Sequence, residues 1–229
     1  MKLRALPFLS ALLIPCLLNA APSNAGAEVT GVWVLNGPGT ESEILLTEEG
    51  LRVQGDYDLL VDDPSLSCTP ASASRIWANP GSRVHIELTN DLVSITYELF
   101  DLRREIPLGD ESRISELPST KNISGTYFQE MGSSFAQIEN GRLVIESRNH
   151  SPGYIRTSRG IPQGFNTVTT EELQVEGDTL QIKHTYVDDT LYQQPIVLEY
   201  SLSSVDATDI TLYGCTEADY DWFNELNAN

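Results

Sequence analysis

Histidine, cysteine and basic residues are scarce in this chain, and each scarcity closes off a class of chemistry. The 229 residues include three histidines and three cysteines. His85, His150 and His184 are far apart in sequence and no Cys-x-x-Cys pair occurs, so the ligand spacing of a zinc site is missing. There is no Gly-x-Ser-x-Gly elbow; Gly132-Ser133-Ser134-Phe135-Ala136 fails that pattern and reads as the start of a strand. No glycine-rich loop is present to cradle phosphate. Lys and Arg number 14 against 33 Asp and Glu, a formal charge of −19. Such a surface repels nucleic acid and anionic lipid, because binding either requires cations to neutralise phosphates. Solubility is the first reading of the acidity, with calcium binding as the alternative. Asp62-Asp63 and Asp188-Asp189 sit at turns, where they read as caps; calcium needs six or more oxygens. The sequence assigns no catalytic residue, no metal site and no cofactor.

Long apolar runs are also lacking, with one exception at the N-terminus. Lys2 and Arg4 precede an apolar stretch over 6–18, and the small residues Ser23 and Ala25 follow it. That order predicts a secretory signal peptide over 1–25, removed to leave a working protein in the periplasm or outside the cell. The run is shorter than the ~20 residues a membrane span needs, so no membrane insertion is expected after cleavage. Cys16 follows Pro15 rather than a small residue, which argues against a lipid anchor. The remainder, 26–229, is expected to be a single β domain carrying −21. It keeps only Cys68 and Cys215. Export to an oxidising compartment predicts one disulfide between them, worth about 4–5 kcal/mol on a chain-entropy argument. Two free buried thiols are the alternative.

Strand patterns dominate what is left. Val84, Ile86 and Leu88 alternate with His85 and Glu87 over 82–88; Val93, Ile95, Tyr97 and Leu99 alternate with polar residues over 93–99. Leu102, Arg104, Ile106 and Leu108 continue the pattern. Further strands are expected over 29–35, 142–148, 168–175, 179–187, 196–202 and 210–215. Asn90-Asp91, Asn140-Gly141, Gly177-Asp178 and residues 206–209 supply turns. The fold class is all-β: a single antiparallel meander forming a barrel or strongly curved sheet, with short helices. Thr47-Glu48-Glu49 is a helix start, weakened by Gly50 and Gly55, and 218–226 reads as a terminal helix. Residues 110–122 and 147–166 read as long loops.

One polar constellation stands out. Two-residue hairpins at Asn90-Asp91 and Phe100-Asp101 place Glu98 opposite both Arg83 and Arg103, with Arg75 nearby. Facing outward, this row is a weak surface ladder. Facing inward, Arg75, Arg83, Glu98 and Arg103 are the candidate ligand-binding residues, because a buried ion cluster must be paired. His85 and Glu87 share one strand face and read as a solvated pair.

Several blocks resemble a family of uncharacterised secreted bacterial β proteins. They are Gly31-Val32-Trp33, Asp62-Asp63-Pro64-Ser65-Leu66-Ser67-Cys68-Thr69-Pro70, Arg75, Tyr97-Glu98, Arg103-Arg104-Glu105-Ile106 and 143–147. Glu171, 177–180, Asp188, Tyr192, Pro195 and Cys215 follow in the family's order. The chain departs from it at Ala136-Gln137-Ile138, where the family has Gly-Arg-Trp, and at Asp188-Asp189, where it has Asp-Pro. The resemblance implies the β fold and export, and no reaction. Gly31-Val32-Trp33 is also similar to the first strand of lipocalin-like barrels.

Three function classes follow: an exported binding protein for a small ligand or an envelope protein, a hydrolase or isomerase using barrel-lining carboxylates, and a structural or interaction protein with a filled core. A pocket separates the first two from the third. A carboxylate with a raised pKa favours the enzyme.

Overall fold

Alternation decides which side of each strand is buried, and here it bends the chain around one apolar interior. The computed structural model describes residues 28–206 and 210–217. The predicted leader over 1–25 and the helix over 218–226 lie outside the described residues. The first strands are β1 (Gly31–Leu35) and β2 (Thr40–Glu41), followed by the helices α1 (Glu48–Gly55), α2 (Leu59–Asp62) and α3 (Ala73–Trp77). Then come β3 (Arg83–Leu88), β4 (Leu92–Tyr97), β5 (Leu102–Pro107), β6 (Thr120–Asn122), β7 (Ser133–Glu139) and β8 (Arg142–Arg148). The chain continues with β9 (Gly153–Arg156), β10 (Ile161–Gln163), β11 (Val168–Glu176), β12 (Thr179–Val187) and β13 (Ile196–Val205).

Eleven of these strands form one antiparallel sheet in the order β6-β5-β4-β3-β1-β13-β12-β11-β8-β7, with β2 beside β13. The last strand therefore returns to the first. The sheet curls until its two ends meet: Leu108 forms a parallel bridge with Ala136, and the Gly109 N–H donates to the Ala136 carbonyl at 2.9 Å. The Ser119 N–H also donates to the Gly132 carbonyl at 3.0 Å, so these ends are joined by isolated contacts where a ladder joins the other neighbours. The inward residues of β3, β4, β12 and β13, among them Ile86, Ile95, Ile182 and Leu198, are almost wholly buried. The β7–β8 turn uses Asn140 and Gly141, both at positive φ (49° and 83°), as a type I′ hairpin requires.

The helices close one end. Thr47 caps α1, its hydroxyl accepting the Gly50 N–H at 3.1 Å, with Glu48 and Glu49 in the first turn. Gly50, which weakens the helix pattern, has a packing reason: a Cβ there would lie 2.2 Å from the Leu191 carbonyl oxygen. Cys68 and Cys215 are disulfide-bonded.

Three segments differ in secondary structure from the sequence reading. The loop expected over 147–166 contains the hairpin of β9 and β10. Residues 110–122 hold a 3-10 turn, Glu111–Arg113, and β6. The strand expected over 210–215 does not form. Both edges of β13, the strand that precedes the segment, are taken by β1 and β2 on one side and β12 on the other, so the segment cannot continue the meander beside it. It lies over the outer face of β3–β5, where Ile210 and Leu212 line a cleft with His85, Glu87 and Arg103.

Candidate functional site

The charged row foreseen from the sequence is split by the β4–β5 connection. Tyr97 pairs with Leu102 and Thr96 with Arg103, so Glu98 is not opposite Arg103. Phe100 and Asp101 both take positive φ (58° and 53°), and the connection is four residues long, two more than the expected hairpin. Arg103 points to solvent. The Glu98–Arg83 half of the row does form, but where β3 begins and β4 ends. The Glu98 carboxylate accepts the Arg83 N–H at 2.8 Å and the Thr211 N–H at 3.2 Å, with the Arg83 guanidinium 3.9 Å away. Glu98 thus holds the C-terminal segment in place. Arg75 lies on α3 beside a space of about 60 Å³ lined by Asp63, Asn79 and Phe100. The four residues do not surround one space.

A different set of charged groups fills the barrel interior. Arg104 of β5 reaches across to Glu171 of β11; their closest atoms, Nη2 and Oε1, are 2.7 Å apart and both side chains are fully buried. Arg104 Nη1 also donates to Glu171 Oε2 at 3.0 Å and to the Tyr97 hydroxyl at 3.3 Å. Its Nη2 donates to Ser134 and Ser147, at 3.3 and 3.4 Å. Glu171 Oε2 further accepts the Trp77 indole N–H at 2.7 Å and lies 3.2 Å from His184 Nε2. Burial alone would raise the Glu171 pKa, but Arg104 and His184 more than offset it and hold the carboxyl well below the usual range. Glu171 is therefore an ionised anchor, not a proton donor. The arrangement ties β5 to β7, β8 and β11, across the seam where the sheet ends meet.

The sequence pattern places Arg104 in phase with Leu102, Ile106 and Leu108, and Glu171 enters only through the family resemblance; the signal for an interior cluster is nonetheless present. Arg104 shares the inward phase of Leu102 and Ile106, Glu171 that of Thr169 and Leu173, and His184 that of Ile182 and Tyr186. A charged residue in phase with apolar neighbours is the mark of an interior cluster.

Beside helix α1 lies an open cleft of about 380 Å³ lined by Val53, Pro152, Tyr154, Gln163, Phe165 and Leu191, among others. Its walls are rigidly built. Buried Asp188 accepts the Thr167 hydroxyl at 2.8 Å, the Thr190 N–H at 3.0 Å and the Thr190 hydroxyl at 2.5 Å. Thr167 in turn accepts the Gly164 N–H at 2.8 Å. Gln163 donates to the Glu130 carbonyl at 2.8 Å. The Tyr57 ring packs on Tyr154, with centroids 4.3 Å apart. On this fixed frame Phe165 stands 74% exposed. A larger outer cleft, about 490 Å³, is lined by Arg142, Glu172, Lys183 and Glu199, among others. There Glu172 is paired with both Arg142 and Lys183.

No family model and no curated protein matches the chain. Solved structures of low similarity do. Zebrafish ileal bile acid-binding protein complexed with cholic acid is 13% identical over 77% of this chain and 98% of its own, with a TM-score of 0.38. Wild-type fluorescent protein UnaG is 13% identical over 76% and 96%, at 0.38. Fatty-acid-binding protein 1 of Echinococcus granulosus is 14% identical over 78% and 98%, at 0.37.

Proposed function

We propose that this is an exported small-ligand-binding β protein whose ligand is an uncharged, largely apolar molecule seated in the cleft beside helix α1. The observation that carries this reading is Phe165, an aromatic ring held 74% exposed on a rigid loop beside a cleft of about 380 Å³. Small-molecule sites have volumes of roughly 300–1,000 Å³, mostly apolar linings and a few placed polar groups, and favour barrel mouths. Val53, Pro152, Phe165 and Leu191 supply the apolar wall; Gln163, Asn166 and Thr190 supply the polar groups. The net charge of −19 disfavours an anionic ligand. The leader pattern and the Cys68–Cys215 bond support a periplasmic or extracellular place of work. An enzymatic role for the interior carboxylate is disfavoured, since Glu171 is pushed towards the ionised form and its Oε2 already accepts from Trp77 and Arg104.

A second reading, docking to an envelope protein, draws on Leu59, Leu60 and Val61 of α2, which are 46%, 55% and 72% exposed.

Titration with Nile red, a neutral apolar dye, tests the first reading. The wild-type protein is expected to bind it, and Phe165→Ser or Val53→Asp to weaken binding at least tenfold. Equal affinity in all three would contradict the proposal.

A further inference from the structure

Segment 70–77 is an unusual piece of this fold. Pro70 to Ser74, Ile76 and Trp77 are buried, yet the segment belongs to no strand ladder. Its links to the barrel run through side chains. The Ser72 hydroxyl donates to the Ile155 carbonyl at 3.1 Å, the Tyr186 hydroxyl donates to Ser74 Oγ at 2.9 Å, and the Trp77 indole donates to Glu171. Each flank is a natural pivot. Cys68, tethered to Cys215, lies just before it. Asn79-Pro80-Gly81 lies just after it, with Gly81 at φ +78° and nothing within 4 Å of where its Cβ would be. Beside the segment, next to Arg75 and Asn79, is the open space of about 60 Å³.

What Trp77 covers is a preformed polar site. Its ring is 1% exposed and meets Tyr97 edge-on, with centroids 5.3 Å apart. Its one polar atom sits on a carboxylate already fixed by Arg104. Two further atoms of this site make no hydrogen bond within the protein although fully buried: Arg104 Nε and His184 Nδ1. Buried polar atoms of this kind are rare, and each asks for a reason. His184 also stands with Tyr186 and Tyr200, at centroid distances of 6.0 and 6.4 Å, so aromatic faces accompany the polar groups.

We propose that the Trp77 side chain is the built-in occupant of an internal ligand site. The site takes a planar aromatic molecule of indole size that carries an N–H or O–H donor, admitted when segment 70–77 swings outward. The incoming ring replaces the indole between the aromatic side chains, and its donor replaces the Trp77 N–H on Glu171 Oε2. A ring of the same shape without a donor leaves that carboxylate oxygen short of one hydrogen bond and is rejected, because a buried acceptor stripped of its donor is costly. This inference stands apart from the cleft beside helix α1, and each can fail alone.

The test uses indole and benzofuran, which differ in an N–H against an oxygen. Trp77→Ala in the full chain is expected to bind indole at least tenfold more tightly than benzofuran in calorimetric titration. Adding Glu171→Leu is expected to bring that ratio close to one. The wild-type protein, labelled with 5-fluorotryptophan, is read by fluorine NMR, with the Trp77 signal assigned by its absence from Trp77→Phe. Saturating indole is expected to move the Trp77 signal and leave that of Trp33 in place. A folded Trp77→Ala protein that binds both rings equally, or neither, overturns the proposal. So does a Trp77 signal that indole leaves unmoved; this wild-type measurement decides alone if the alanine variant does not fold.

Discussion

Arg104 spans the barrel interior to Glu171, 2.7 Å between closest atoms, with neither side chain exposed. The contact joins strands towards opposite ends of the sheet order, β5 and β11, near the seam that isolated backbone contacts close. Its consequence for stability is asymmetric. A buried ion pair adds little over a well-packed apolar pair, but breaking it strands a charge. Arg104→Met is therefore expected to cost about 3–5 kcal/mol in urea denaturation. Arg104→Met with Glu171→Leu is expected to cost less than Arg104→Met alone. A double variant that loses the sum of both single losses would show that the two residues act independently.

Acid is expected to lower the stability of the protein in two pH windows. Burial, the larger influence, pushes the His150 pKa below its ordinary 6.5, despite the hydrogen bond between Nδ1 and the Glu130 carbonyl. The unfolded chain then takes up that proton first, so the stability from neutral His150 is lost as pH falls below 6.5. Glu171 is held below its ordinary 4.5, so its contribution is full above 4.5 and is lost as pH falls from there towards the lowered value. Urea midpoints measured across this range should decline in both windows. His150→Gln should remove the upper decline and keep the lower. An unchanged upper decline in that variant would assign it to another group.

Glu98 and Arg103 should separate cleanly. Glu98→Ala leaves the N–H groups of Arg83 and Thr211 without their acceptor, at a cost of about 1–3 kcal/mol. It should also speed hydrogen exchange at Thr211 and Tyr213. Arg103→Ala removes an exposed side chain and should cost within about 0.5 kcal/mol. Equal losses would mean that the two residues share an environment after all.

Much of the barrel was legible because period-2 alternation survives in the sequence. Strands over 142–148 and 179–187 were read with the bounds they have, and Thr47 was read as the cap it is. The interior cluster was equally legible in principle, since Arg104, Glu171 and His184 each sit in an apolar phase. Each is a single polar residue in its own strand, and only the curl of the sheet brings the three together. The register at Glu98 was not legible. It depends on Phe100 and Asp101 adopting positive φ, a conformation that bulky residues rarely take and that no local pattern announces. Ile210 and Leu212 show strand alternation, but a strand needs a free edge as well as a pattern. Helix α3 has a serine cap at Ser72, yet its five residues are buried around almost their whole girth, which leaves no amphipathic period to read.

Backbone NMR of the labelled protein during titration with Nile red tests the ligand-binding claim most directly. Amide shifts are predicted to concentrate at Gly153, Tyr154, Gly164, Phe165, Asn166 and Leu191, the walls of the cleft beside helix α1. Shifts concentrated instead at Thr40, Gln174, Gln181 and Glu199, in the larger outer cleft, or at no cluster at all, would contradict it.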